Sequence, residues 1–256
     1  MIKFFRKIRR QLLTENKFTK YLLYAIGEII LVVIGILIAL QINNWNEKNK
    51  NTKMELLYYC RILDDFEIDK QLISQFLEKS NNRISTSKEL LLDLDSHTKD
   101  KNYLLTKFLD AYRSDTYVPR NVTFKELISS GNLKFLNDLL IKKSIIQYYS
   151  ELEDKQFQLQ QNRNELIKKT FEMFNTSIEF GGLQELQYVK KLFEPEIIQA
   201  FPQDDWTKNK ESEYYKEFQL LILFNITMAE REKQHLSKIN NLMNTPYELL
   251  IKKCKT

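Results

Sequence analysis

Turn-forming residues are scarce. The 256-residue chain contains five glycines and four prolines, whereas Leu, Ile, Lys, Glu, Gln and Asn abound. So few chain reversals fit a small number of long elements, which means helices. Catalytic signatures are missing as well: there is no P-loop, no Gly-rich dinucleotide turn, no Gly-x-Ser-x-Gly and no His-Glu-x-x-His. Neither enzymatic activity nor a cofactor is expected. Of the two histidines, His235 stands in Glu232-x-x-His235, the spacing of a di-iron helix pair. That chemistry needs a second such pair and further carboxylates, and His97 has a different context, so no metal site is expected. The adjacent acids Asp64-Asp65 and Asp204-Asp205 read as solvated surface.

Charged residues make up 29% of the chain and hydrophobic ones 43%, a folded rather than a disordered composition. The formal charge of +5 would suggest nucleic acid if it were spread over the chain, but it is concentrated at one end. Residues 1–20 carry seven bases (Lys3, Arg6, Lys7, Arg9, Arg10, Lys17, Lys20) and one acid (Glu15), a net +6 that leaves −1 for residues 21–256. Nucleic-acid binding loses its support. Ile2, Phe5, Ile8 and Leu12 recur at helical spacing among these bases. Residues 1–20 therefore read as a cytoplasmic amphipathic arm, with Lys3, Arg6, Lys7, Arg9 and Arg10 against an anionic lipid surface. The same charges serve as a topogenic flank.

One long hydrophobic run is present. Leu22 to Ile42, LLYAIGEIILVVIGILIALQI, is apolar apart from Glu28 and Gln41. At the helical rise it reaches roughly 30 Å, the thickness of a bilayer core. It is too long for a cleavable signal peptide, and Ala39-Leu40-Gln41 fails as a cleavage site. Residues 21–43 are expected to be an uncleaved transmembrane signal anchor. Seven bases precede it, against Lys48, Lys50 and Lys53 after it. The N-terminus is therefore expected in the cytoplasm and residues 44–256 outside, in the periplasm where there is an outer membrane. Tyr21 and Tyr24 supply an inner aromatic belt, and Trp45 an outer anchor. Gly35 and Ala39 form a small-xxx-small pair that admits a neighbouring helix. Glu28 lies about 9 Å inside the cytoplasmic end; a carboxyl at that depth reads as a contact to a partner helix. A protein partner or a second copy within the membrane is expected, alongside the lipid bilayer itself.

The run KYLLYAIGEIILVVIGILIALQINNWNEKNKN resembles the N-terminal signature of an uncharacterised bacterial family of single-span membrane proteins, a domain of unknown function. FKELISSGNLKFLNDLLIKKSIIQYY resembles a second block of such proteins. The resemblance implies location and architecture and no activity.

Beyond the anchor, a heptad rhythm (Tyr59, Leu63, Phe66, Ile73, Leu77, Ile84, Leu91, Leu94) predicts a long helix from Met54 to about Leu94. Lys70, Ser80 and Ser87 interrupt it, which favours a bundle with other helices of the chain over a parallel coiled coil. A loop at 95–102, a short helix over 103–112 and a second loop follow. Thr123 and Glu126 read as a capping box with Val122 and Leu127 as its staple, and Gly131 as the stop. A second long helix is expected from about Asp138 to Ile178, striped by Ile145, Tyr149, Leu152, Leu159, Leu166 and Met173. Phe171, Phe174 and Ile178 widen that stripe, polar Gln156, Arg163 and Thr170 interrupt it to set register, and Gly181-Gly182 ends it. Residues 183–211 suggest short helices. A third long helix spans about Ser212 to Met243, with Tyr215, Phe218, Ile222, Asn225, Ala229, Leu236, Ile239 and Met243 on one face. Thr245-Pro246-Tyr247-Glu248 reads as a new cap opening a last short helix.

The expected fold is all-α: one transmembrane helix, then an extracytoplasmic antiparallel bundle of three long helices with several short ones. If those three run out, back and out again, Cys60 and Cys254 lie at opposite ends, and no intrachain disulfide is expected. The expected role is a membrane-anchored binding or scaffold module. The alternative is a ligand-sensing bundle that signals through a separate membrane partner.

Overall fold

The computed structural model describes residues 18–113, 115–175, 191–200 and 204–255. All the regular structure among them is helical: α1 (Phe18–Ser96), α2 (Lys101–Tyr112), α3 (Val122–Ser129), a 3-10 turn (Asn132–Phe135), α4 (Leu139–Asn175), α5 (Pro195–Gln199), a second 3-10 turn (Trp206–Lys208) and α6 (Glu213–Cys254). The chain divides into two compact units, Met1–Leu57 and Tyr58–Thr256. In the first, α1 carries the apolar run, and its Leu, Ile and Val side chains from Leu22 to Ile42 are exposed. It is long and apolar enough to cross a membrane.

The second unit is a bundle whose register is set by polar contacts. Along α1 and α6, Ser87 meets Asn225, Ser80 meets Glu232 and Cys60 meets Cys254. Rising numbers on one helix thus pair with falling numbers on the other, and the two are antiparallel. Helix α4 is antiparallel to α6 as well, since Asp138 pairs with Lys253 and Asn162 with Met228. It therefore runs parallel to α1, with Phe66 against Tyr148 at 4.8 Å.

The return path between these parallel helices is the segment 101–132, which descends beside α1. Lys107 pairs with Asp93, the Arg120 N–H donates to Asp69, the Thr123 N–H donates to Asp65, and Glu126 binds Arg61 bidentately at 2.6 and 3.1 Å. This segment corrects the expectation about the cysteines. The bundle has four passes, the second built of a short helix, a loop and another short helix rather than one long helix. Helix α6 therefore returns to the Cys60 end, where Cys60 and Cys254 form a disulfide with their Cα atoms 5.5 Å apart.

The heptad reading of α1 was half right. Tyr59, Phe66, Ile73, Ser80, Ser87 and Leu94 form one buried line, as expected. Leu63 is buried as well, but the companion line is Ile62, Asp69, Phe76, Arg83 and Leu90, one residue earlier than the apolar pattern suggests; Leu77, Ile84 and Leu91 are only half-buried flanks. Two polar residues on the true line disguised it. Lys70, Ser80 and Ser87 do reach α6, Lys70 lying 4.1 Å over the Tyr247 ring.

Both expected capping boxes are corrected. Helix α3 starts one residue earlier than Thr123, and Asp65 of α1 takes the role of its cap acceptor while Glu126 is committed to Arg61 and Tyr58. Val122 is exposed and Leu127 fully buried. Gly131 does stop the segment, at φ 69°, a conformation that glycine adopts without a Cβ penalty. Helix α6 runs through Pro246 to Cys254. The missing N–H disfavours such continuity, but the turns beyond it are held by fully buried Leu250, by Lys253 on Asp138 and by the disulfide.

All eight residues expected on the α6 face are buried. On α4, Ile145, Tyr149, Leu152 and Leu166 are buried and Leu159 half-buried, whereas Phe171 is exposed. The side chains of Met173 and Phe174, and Ile178 and Gly181-Gly182, lie outside the description. Trp206, in the 183–211 stretch expected to form short helices, is fully buried 5.3 Å from Phe218. Asp204 and Asp205 are exposed, as expected, and Asp205 also accepts from the Thr207 N–H.

The disulfide closes a span of 194 residues, so its loss frees the unfolded chain considerably. The Cys254→Ser variant is expected to unfold about 2–5 kcal/mol more easily. On non-reducing gels the native monomer should migrate faster than its reduced form, and this difference should vanish in the variant.

Candidate functional site

The middle of the bundle is polar. Arg83 projects from α1 between α2 and α6. Its Nη1 donates to Glu232 Oε2 at 2.6 Å, Nη2 to Asn225 Oδ1 at 3.4 Å and Nε to the Ala111 carbonyl at 3.2 Å. The Asn225 amide donates to Ser87 Oγ at 3.0 Å and to the Ala111 carbonyl at 3.2 Å, and Ser80 Oγ to Glu232 Oε1 at 3.2 Å. The Arg83 and Glu232 side chains are 7% and 15% exposed. Charges so withdrawn from water require this degree of pairing.

Beside this network opens a two-lobed cleft. The larger lobe, about 570 Å³, is walled by Phe76, Tyr112, Leu166 and Ile167 together with Arg83, Glu232 and Arg163. The smaller, about 310 Å³, lies against Tyr117, Val118, Phe157 and Leu159. Asp115, Arg163 and Glu232 line both. Asp115 pairs with Lys79, and Arg163 donates to Thr116. Glu232, the acid of the Glu-x-x-His pair, is thus engaged by Arg83. Burial and the neighbouring Lys155 hold the His235 imidazole below its ordinary pKa. Among the described residues no group of three or more His, Cys, Asp or Glu is placed to hold a metal ion.

A second polar cluster lies toward the Cys60 end. Asp69 is fully buried; its Oδ1 accepts from the Arg120 N–H at 2.7 Å, while Oδ2 has no hydrogen-bond partner. The buried hydroxyls of Tyr117, Tyr148 and Tyr149 also have none. Burial pushes the Asp69 carboxyl up to about 7, with nearby Asp65 adding to the shift and the Arg120 N–H opposing it. The three phenols are pushed up by burial, and Asp69 contributes to each.

The residues singled out from sequence lie elsewhere, in the first unit. Glu28 is half-buried, Ala39 exposed and Trp45 67% exposed, and a Cβ added at Gly35 would meet open space. Gly35 lies seven positions after Glu28 and Ala39 four positions after Gly35, so at 3.6 residues per turn the three share one stripe. The side chains of Tyr21 and Tyr24, and Lys3, Arg6, Lys7, Arg9 and Arg10, lie outside the description. Sequence reasoning missed Asp69 and Arg83, and it weighed Glu232 only as a metal ligand rather than as the partner of Arg83. The available signal was two polar residues fourteen apart on one heptad line of α1.

Among the described residues, an all-helical architecture with one long apolar N-terminal helix and a helical bundle is the class these observations define. The chain belongs to the family of unknown function DUF6090, whose model matches residues 28–191. No curated protein and no solved structure matches it.

Removing one partner of a buried ion pair strands the other. Glu232→Ala is expected to cost about 3–5 kcal/mol by chemical denaturation, most of it recovered in Arg83→Met/Glu232→Leu. Asp69 gives a pH signature. Its folded pKa, about 7, lies above the ordinary 3.8, so between those values the folded state holds a proton that the unfolded state has released. Its contribution therefore lowers stability as pH rises through this window and levels off above it. Asp69→Asn should flatten that slope and raise stability at pH 8 by about 1–3 kcal/mol.

Proposed function

We propose that this protein is a membrane-anchored helical-bundle module of the bacterial envelope that binds a protein partner and does not catalyse a reaction. The N-terminal arm is cytoplasmic, the run from Leu22 to Ile42 crosses the inner membrane, and the bundle lies on the periplasmic side. The Cys60–Cys254 disulfide carries this reading. Such bonds persist in oxidising compartments and are rare in the cytosol, which agrees with the excess of bases before the apolar run. The stripe of Glu28, Gly35 and Ala39 suits a helix–helix contact within the bilayer, where small residues allow close approach and a carboxyl finds a donor on its neighbour. The neighbour is a protein partner or a second copy. The cleft beside Arg83, Glu232 and Arg163 favours one second reading, a bundle that senses a small ligand and passes the change to a membrane partner.

Cross-linking in native membranes with mass spectrometry tests the first reading. One envelope protein or the chain itself should be recovered repeatedly through the anchor, and Glu28→Leu and Gly35→Leu should deplete it. Recovery unchanged in both variants would sink the stripe. Labelling of the cysteines by a membrane-impermeant thiol reagent only when reductant is added from outside would support the orientation; labelling only after lysis would reverse it.

A further inference from the structure

The first turns of α4 carry an outward face rich in exposed aliphatic side chains and lysines. Leu139, Leu140 and Ile146 are 79%, 64% and 39% exposed, and with Lys142, Lys143, Gln147 and Ser150 they cover the side opposite buried Ile141, Ile145, Tyr148 and Leu152. A shallow groove runs along this face between Leu139 and Glu151. The preceding helix repeats the composition, with exposed Val122, Lys125 and Ile128 at three-residue steps. Across residues 122–146 there are two acids, and both are held in ion pairs, Glu126 with Arg61 and Asp138 with Lys253. Glu151 closes the far end of the groove; before it, the charge that the segment offers outward is that of its lysines, set among aliphatic and neutral polar side chains.

We propose that this face, centred on Leu139, Leu140, Lys142, Lys143 and Ile146, docks on an anionic phospholipid surface. Aliphatic side chains interleaved with lysines suit the headgroup boundary, where the former enter the acyl region and the latter pair with phosphates. A second copy of the same face fits poorly, because a twofold contact would set Lys142 and Lys143 against their own counterparts. The inference rests on the membrane-anchored reading. Only the fifteen residues 43–57 of α1 separate Ile42 from Tyr58, which holds the bundle at high effective concentration near any bilayer that the apolar run enters.

The test uses the full chain in vesicles of phosphatidylcholine with or without phosphatidylglycerol. Because Cys60 and Cys254 are bonded to each other, single labels of an environment-sensitive dye can be placed through Leu140→Cys, Leu92→Cys or Val33→Cys. The label at position 140 should be blue-shifted and quenched by nitroxide lipid in the anionic vesicles. It should lose most of that quenching in the Lys142→Glu/Lys143→Glu background, while the label at position 92 stays in water throughout. A position-140 label as wet as the position-92 label, with position 33 still quenched, overturns the docking surface alone. Equal quenching with and without anionic lipid overturns its charge basis. A wet label at position 33 overturns the anchor, and the inference falls with it.

Discussion

Arg83 reaches three groups on two helices at once: the carboxylate of Glu232 on α6, the side-chain amide oxygen of Asn225 about two turns away on the same helix, and the carbonyl of Ala111 at the end of α2. A guanidinium has five donors in a fixed fork, so α6 cannot slide along α1 by one turn without stranding a charge in the interior. That penalty sets the register for everything toward the Cys60 end. Cys60 lies 23 residues before Arg83 and Cys254 lies 22 residues after Glu232. Equal helical rises bring the two sulfurs level, and the disulfide, Lys255 on Glu67 and Lys253 on Asp138 follow from the same alignment.

The helical class, the long elements and the α6 face were legible because apolar residues there keep the helical period. The α1 face was legible only along one line. On the companion line Asp69 and Arg83 occupy core positions, and the neighbouring Leu77, Ile84 and Leu91 supplied a convincing apolar pattern one residue too late. Sequence periodicity weighs a buried arginine as surface; only its partners on α6 and α2, more than a hundred and about thirty residues away, make it interior. The candidate site was hidden for the same reason.

The return segment was illegible for a different reason. Residues 101–132 form no long helix, and much of their hold on α1 is polar: Asp65 and Asp69 accept backbone N–H groups of Thr123 and Arg120, and Arg61 clamps Glu126. Such contacts leave little periodic trace. Counting only strong helical signals gave three passes where the chain makes four, and the parity of that count decided whether the cysteines met. A weak local signal thus reversed a long-range conclusion.

Asp69, Arg83, Asn162 and Asn225 inside one small bundle reduce the apolar area that folding removes from water, and the orphaned oxygen of Asp69 adds a desolvation penalty. A cross-link spanning nearly the whole second unit acts on the other side of the equilibrium, by restricting the unfolded chain. The polar interior supplies register and the disulfide supplies the margin that a polar interior lacks. Reduction should therefore take a larger share of this bundle's stability than of one with an apolar core of the same size, which ties its integrity to the oxidising compartment proposed for it.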